Sequence, residues 1–90
     1  MAQFDFESFS EKLKQSLQFP SVYMFKFIVK ADNRKIAMLE NLFGSETEMH
    51  RKTSFAGKYV AITAKQVVMD VDEIITVYRK ANAIEGVIWI

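Results

Sequence analysis

The sequence predicts an α+β domain, a ferredoxin-like βαββαβ two-layer sandwich with an extra N-terminal helix. Three observations predict it. After Pro20 the hydrophobic periodicity runs strand, helix, strand, strand, helix, strand. The two middle strands are joined by a short turn containing Gly57. Two helical crossovers are therefore split around one hairpin. Right-handed crossovers then put the first and third strands in the centre, with both crossover helices on one face of the sheet. Residues 1–90 make one domain, with a leading helix over 5–18 and the core over 20–90.

Each element has a local reason. Phe6, Phe9, Leu13 and Leu17 recur at helical spacing, so 5–18 is helical. Ser8 followed by Glu11 matches a capping box, and Phe19 before Pro20 ends the helix. Residues 21–30 alternate as a strand: Tyr23, Phe25, Phe27 and Val29 point one way, Val22, Met24, Lys26, Ile28 and Lys30 the other. Both sets are mostly apolar, which predicts a central position. A helix over 33–43 buries Ile36, Leu39 and Phe43, with Asn33 as N-cap and Gly44 beyond its end.

Residues 46–54 carry charge on both faces, as a protected edge strand does. The turn Phe55-Ala56-Gly57 leads into a strand over 58–68, with Val60, Ile62 and Ala64 facing the core and Tyr59, Ala61, Thr63 and Lys65 facing away. The last helix, 70–82, starts at the capping box Asp70 and Glu73 and buries Val71, Ile74, Ile75, Tyr78 and Ala81, with Asn82 closing it. A final strand spans 84–90, with Gly86 as a bulge.

Composition excludes several chemistries. The chain has no cysteine, hence no disulfide, thiol nucleophile or thiolate metal site. One histidine, His50, cannot build a histidine metal site, and on a polar edge strand it reads as solvated. Asp70, Asp72 and Glu73 resemble a metal cluster, but acids at a helix start cap amides and stabilise the helix dipole. Three isolated glycines form no phosphate loop. Twelve basic residues against eleven acidic ones leave a net charge of +1, too weak a field for nucleic acid. The strand beginning Lys58-Tyr59 lacks the aromatic alternation of RNA-recognition modules. No apolar run approaches the roughly 20 residues that span a bilayer. The N-terminus is not patterned as an export signal, which predicts a cytoplasmic protein.

Two surfaces stand out. The loop Asp32, Asn33, Arg34 joins the first strand to a helix N-terminus, where amides and a guanidinium suit a small anion. The second surface is the outer sheet face. Met24, Lys26 and Ile28 from the first strand meet Tyr59, Ala61 and Thr63 from the third there, and the patch needs a cover. The leading helix and a second copy of the chain are the two candidates.

Phe19-Pro20 before an aromatic strand with Phe25-Lys26, then Ser54, Gly57-Lys58-Tyr59 and Ala61-Ile62-Thr63, then Val77-Tyr78 and Gly86-Val87 to Ile90, resemble the YbeD-like family of small bacterial proteins. Val29 stands where that family often has glycine, and Ala61 where it often has serine. The resemblance implies a fold close to ACT domains. Those are regulatory modules that pair across subunits and bind amino acids or similar molecules near the first strand–helix loop. It supplies no catalytic residues. The expectation is a non-enzymatic regulatory or ligand-sensing module, or alternatively an adaptor that assembles through its sheet and leading helix. It uses no metal or cofactor and forms a homo-oligomer. Its partners are a small anionic metabolite or a protein, with neither nucleic acid nor membrane among them.

Overall fold

The computed structural model describes residues 5–54 and 56–89. They form α1 (Phe6–Ser16), β1 (Ser21–Lys30), α2 (Asn33–Glu40), β2 (Glu48–Thr53), β3 (Tyr59–Val68), α3 (Val71–Asn82) and β4 (Ile88–Trp89). The strands build one antiparallel sheet in the order β2-β3-β1-β4. This is the ferredoxin-like order, with the first and third strands central and the polar β2 at an edge.

Burial follows the alternation. Phe25, Phe27 and Val29 of β1 join Val60, Ile62, Ala64 and Val68 of β3 in the core, against Ile36 and Leu39 of α2 and the inner stripe of α3. Val29 is 1% exposed, so its side chain is a core contact. On β2 the core-facing residues are Met49, opposite Ala64, and Arg51, opposite Ile62. Arg51 donates two hydrogen bonds to the carboxylate of Glu40 on α2, at 2.6 and 2.5 Å. This bidentate contact holds the Glu40 carboxyl below its ordinary range and ties the edge strand to its crossover helix.

The leading helix does not lie over the outer sheet face. It packs against α3 on the helical side. Leu13 is buried, the Phe9 ring meets Tyr78 edge-on at 5.4 Å, and Phe6 sits 5.7 Å from Trp89. The Arg79 guanidinium stands 4.5 Å over the Phe6 ring. Tyr78 provides a better-matched surface for these rings than the lysine-bearing outer face.

Several termini are corrected. The N-cap of α1 is Asp5, whose carboxylate accepts from Ser8 N–H at 3.1 Å, so Ser8 lies inside the helix rather than capping it. The N-cap of α2 is Asp32, not Asn33, and the helix ends at Glu40. Asp70 caps α3 by accepting from Glu73 N–H at 3.0 Å. The Glu73 carboxylate reaches back to Met69 N–H, one residue further than a standard capping box. Ala83 rather than Asn82 caps the end of α3. The final strand is short, and Gly86 takes φ 82° in the turn before it, so it is no bulge. In the hairpin, Gly57 has φ 71° and its N–H bonds Ser54 O at 2.9 Å. Phe55, assigned to that turn, lies outside the described residues, as does Ile90.

The core centres on Tyr78. Its ring contacts Phe25 at 5.4 Å and Phe27 at 5.9 Å and stacks on Trp89 at 4.3 Å. Its hydroxyl pairs with that of Tyr23 at 3.2 Å. Burial, then the hydrogen bond to Tyr23, pushes the Tyr78 hydroxyl above its ordinary value. In the unfolded chain this phenol ionises near pH 10. Its contribution is therefore intact below pH 10 and is lost as pH rises beyond it. Urea melts of the wild type are expected to lose up to about 1.4 kcal/mol per pH unit above pH 10 through this group. Tyr78→Phe is expected to show a shallower slope over the same range. Equal slopes would contradict the assignment.

Candidate functional site

The loop after β1 is held by its own backbone. Ala31 N–H donates to Lys58 O at 2.9 Å, and Asp32 N–H donates to Lys30 O at 2.7 Å. The Asp32 carboxylate turns onto the start of α2, accepting from Arg34 N–H at 2.9 Å and Lys35 N–H at 3.4 Å. Two amides that would receive an anion therefore already have one. A shallow groove of about 490 Å³ lies beside the loop, lined by Lys30, Ala31, Asp32, Gly57, Lys58 and Tyr59. Asp32 lines it, but Asn33 and Arg34 do not. The structure thus brings Asp32 to the hairpin end of the sheet and leaves Asn33 and Arg34 exposed on the helix.

The outer sheet face is continuous, and register places its residues in rows. Lys52, Ala61, Ile28 and Ile88 cross the four strands in one row. His50, Thr63 and Lys26 form the next, and Glu48, Lys65 and Met24 the one after. Tyr59 opposite Lys30 closes the hairpin end, and Val67 opposite Val22 closes the other. Met24, Lys26, Ile28, Tyr59, Ala61 and Thr63 all lie on this one face. Reasoning from sequence missed Lys52, His50 and Ile88, because their side of the sheet depends on pairing register rather than on local alternation.

Among the described residues, no helix covers this face. Val22 is 66% exposed, Val67 59%, Ile88 58% and Met24 44%. Glu48 lies 3.7 Å from His50 Nε2 and 3.8 Å from Lys65 Nζ. Among the described residues, Lys26, Lys30 and Lys52 form no ion pair. Among the same residues, no three His, Asp or Glu side chains cluster to hold a metal ion, and no helix is long and apolar enough to cross a membrane.

These features define a small α+β module with all its helices on one side of the sheet and an uncovered, lysine-bearing face on the other. A family model described as "Protein of unknown function (DUF493)" matches residues 14–90. The chain belongs to that family, the YbeD-like proteins whose motifs it shares. The matched region begins within α1, so most of the leading helix precedes it. No curated protein and no solved structure matches the chain.

The capping geometry is testable. Asp32→Ala is expected to lower stability by about 1 kcal/mol in denaturant melts, and Asn33→Ala to stay within about 0.5 kcal/mol of the wild type. The reverse ranking would move the helix start by one residue.

Proposed function

We propose that the protein is a non-enzymatic interaction module that docks a protein partner through its outer sheet face. The observation that carries this reading is the exposure of Val22, Met24, Val67 and Ile88 on one continuous face, while α1, α2 and α3 all pack on the other side. A monomer seldom leaves a large apolar patch wet without using it. The leading helix would have been an internal cover, but its stripe is spent on α3.

Ligand sensing at the first strand–helix loop is less well supported. Asp32 occupies the amides that a small anion needs, and it adds a negative charge at that point. The groove beside it is shallow and open to solvent. An adaptor also fits the mixed character of the sheet face. Apolar side chains there give contact area, and charges among them set orientation.

A photo-crosslinking amino acid placed at Met24 tests the reading in cells, with Met38 on the helical side as reference. Both positions are comparably exposed, at 44% and 45%. Adducts to another protein are expected from Met24 and not from Met38. Equal adducts from the two positions, or none from Met24, would contradict the proposal. A thermal shift on adding small metabolites, with no adduct at Met24, would restore the ligand-sensing reading.

A further inference from the structure

The outer sheet face carries a charge that the whole chain does not. Its strand residues include Lys26, Lys30, Lys52 and Lys65 against the single acid Glu48. Four lysines against one glutamate make these strand residues three charges positive, and Glu46, just before β2, shares a groove with Val22, Glu48, Lys65 and Val67 at the end away from the hairpin. The whole chain is only one positive, so the rest of the molecule is two negative. The lysines also sit among apolar groups. Lys52 shares a row with Ala61, Ile28 and Ile88, Lys65 one with Met24 and Glu48, and Lys26 stands between Met24 and Ile28 along β1, in a row with Thr63 and His50.

From this pattern we propose that the partner docked on the sheet face is an extended acidic polypeptide segment whose every second residue, turned to the sheet, is in turn apolar and a carboxylate. This rests on the docking reading above and names the partner's chemistry. The apolar rows offer Ile28, Ile88 and Met24 as contact surface for side chains. The flanking ammonium groups reach carboxylates on flexible stems, and Lys26, Lys30 and Lys52 have no ion partner of their own among the described residues. Rows along one strand recur about every 7 Å, the spacing of alternate side chains in an extended segment.

A nucleic acid fits less well. Tyr59, at the hairpin end, and the imidazole of His50 are the only aromatic rings among the described residues of this face, and they stand two rows apart on different strands, too few for a stacking platform. No arginine lies among those residues. The remaining surface is net negative, which denies phosphates a broad basic field. A second copy also fits less well, because two such faces would set lysines against lysines.

The test uses the full chain and a short fluorescein-labelled peptide in which every second residue is in turn leucine and glutamate, with serine between them, so that both face one side when extended, read by fluorescence anisotropy at low and at physiological salt. The same peptide with lysine for glutamate and an oligothymidylate serve as comparison probes. The acidic peptide is expected to bind, and to bind more weakly as salt rises. The double variant Lys26→Glu with Lys52→Glu is expected to bind it at least about tenfold more weakly. The double variant Lys26→Met with Lys52→Met, which keeps the side-chain length, is expected to fall between, and Lys12→Glu on α1 to leave binding unchanged.

No binding of the acidic peptide, equal binding of the two peptides, or full affinity in both double variants would overturn the proposal. Tighter binding of the oligothymidylate would overturn it in favour of nucleic acid, and a dimer in light scattering that closes the face would overturn it in favour of a second copy. Crosslinks from Met24 that persist undiminished in the charge-reversed chain would refute the acidic partner and leave docking intact. Their absence from the wild type would refute both.

Discussion

The structure depends on one aromatic cluster. Tyr78 of α3 touches Phe9 from α1, Phe25 and Phe27 from β1 and Trp89 from β4, and its hydroxyl meets Tyr23. Each ring pair adds about 0.5–1.5 kcal/mol beyond the area it buries. The cluster therefore draws the leading helix, the central strand and the last strand to the same side of the sheet. Once the aromatic surface is committed there, nothing within the described residues remains to cover the other side. The open face is a consequence of where the rings are.

The same constraint explains why the two candidate surfaces differ. The loop at Asp32 is closed on itself. Its backbone is bonded to Lys30 and Lys58, and its carboxylate is bonded to the helix it precedes. Such a loop holds a helix start firmly and leaves little bonding capacity for a ligand. The sheet face is the opposite case. Its backbone groups are satisfied within the ladder between β1 and β3, while its side chains meet solvent. The Glu40–Arg51 pair keeps β2 aligned with that ladder, so the edge strand presents Lys52 and His50 in fixed register with the centre.

Strand identity was legible in the sequence because alternation in β1 and β3 is strong and is set locally. Tyr23, Phe25, Phe27 and Val29 could share only one side, whatever packed on it. Helix starts were less legible. Asp32 and Asn33 are adjacent, and both residue types cap well, so the choice between them rests on a backbone angle that residue type does not specify. The Phe6, Phe9, Leu13, Leu17 stripe announced a buried face on α1. Which surface received it depended on Tyr78, more than sixty residues away. The charge of the sheet face was hidden for a related reason. Lys26, Lys52 and Lys65 are far apart in the chain, and only pairing register brings them to one side.

The central claim is one-sided burial: in the free protein the outer sheet face is open to water. Methyl NMR with a soluble paramagnetic chelate tests it most directly. The methyl of Met24 should relax about as fast as that of Met38, at 44% and 45% exposure, and that of Ile88 about as fast as that of Met69, at 58% and 60%, while those of the fully buried Ile62 and Ile74 should relax far more slowly. Protection of Met24 and Ile88 at concentrations where the protein is monomeric would show that a segment of the chain itself covers the face, and would contradict the account.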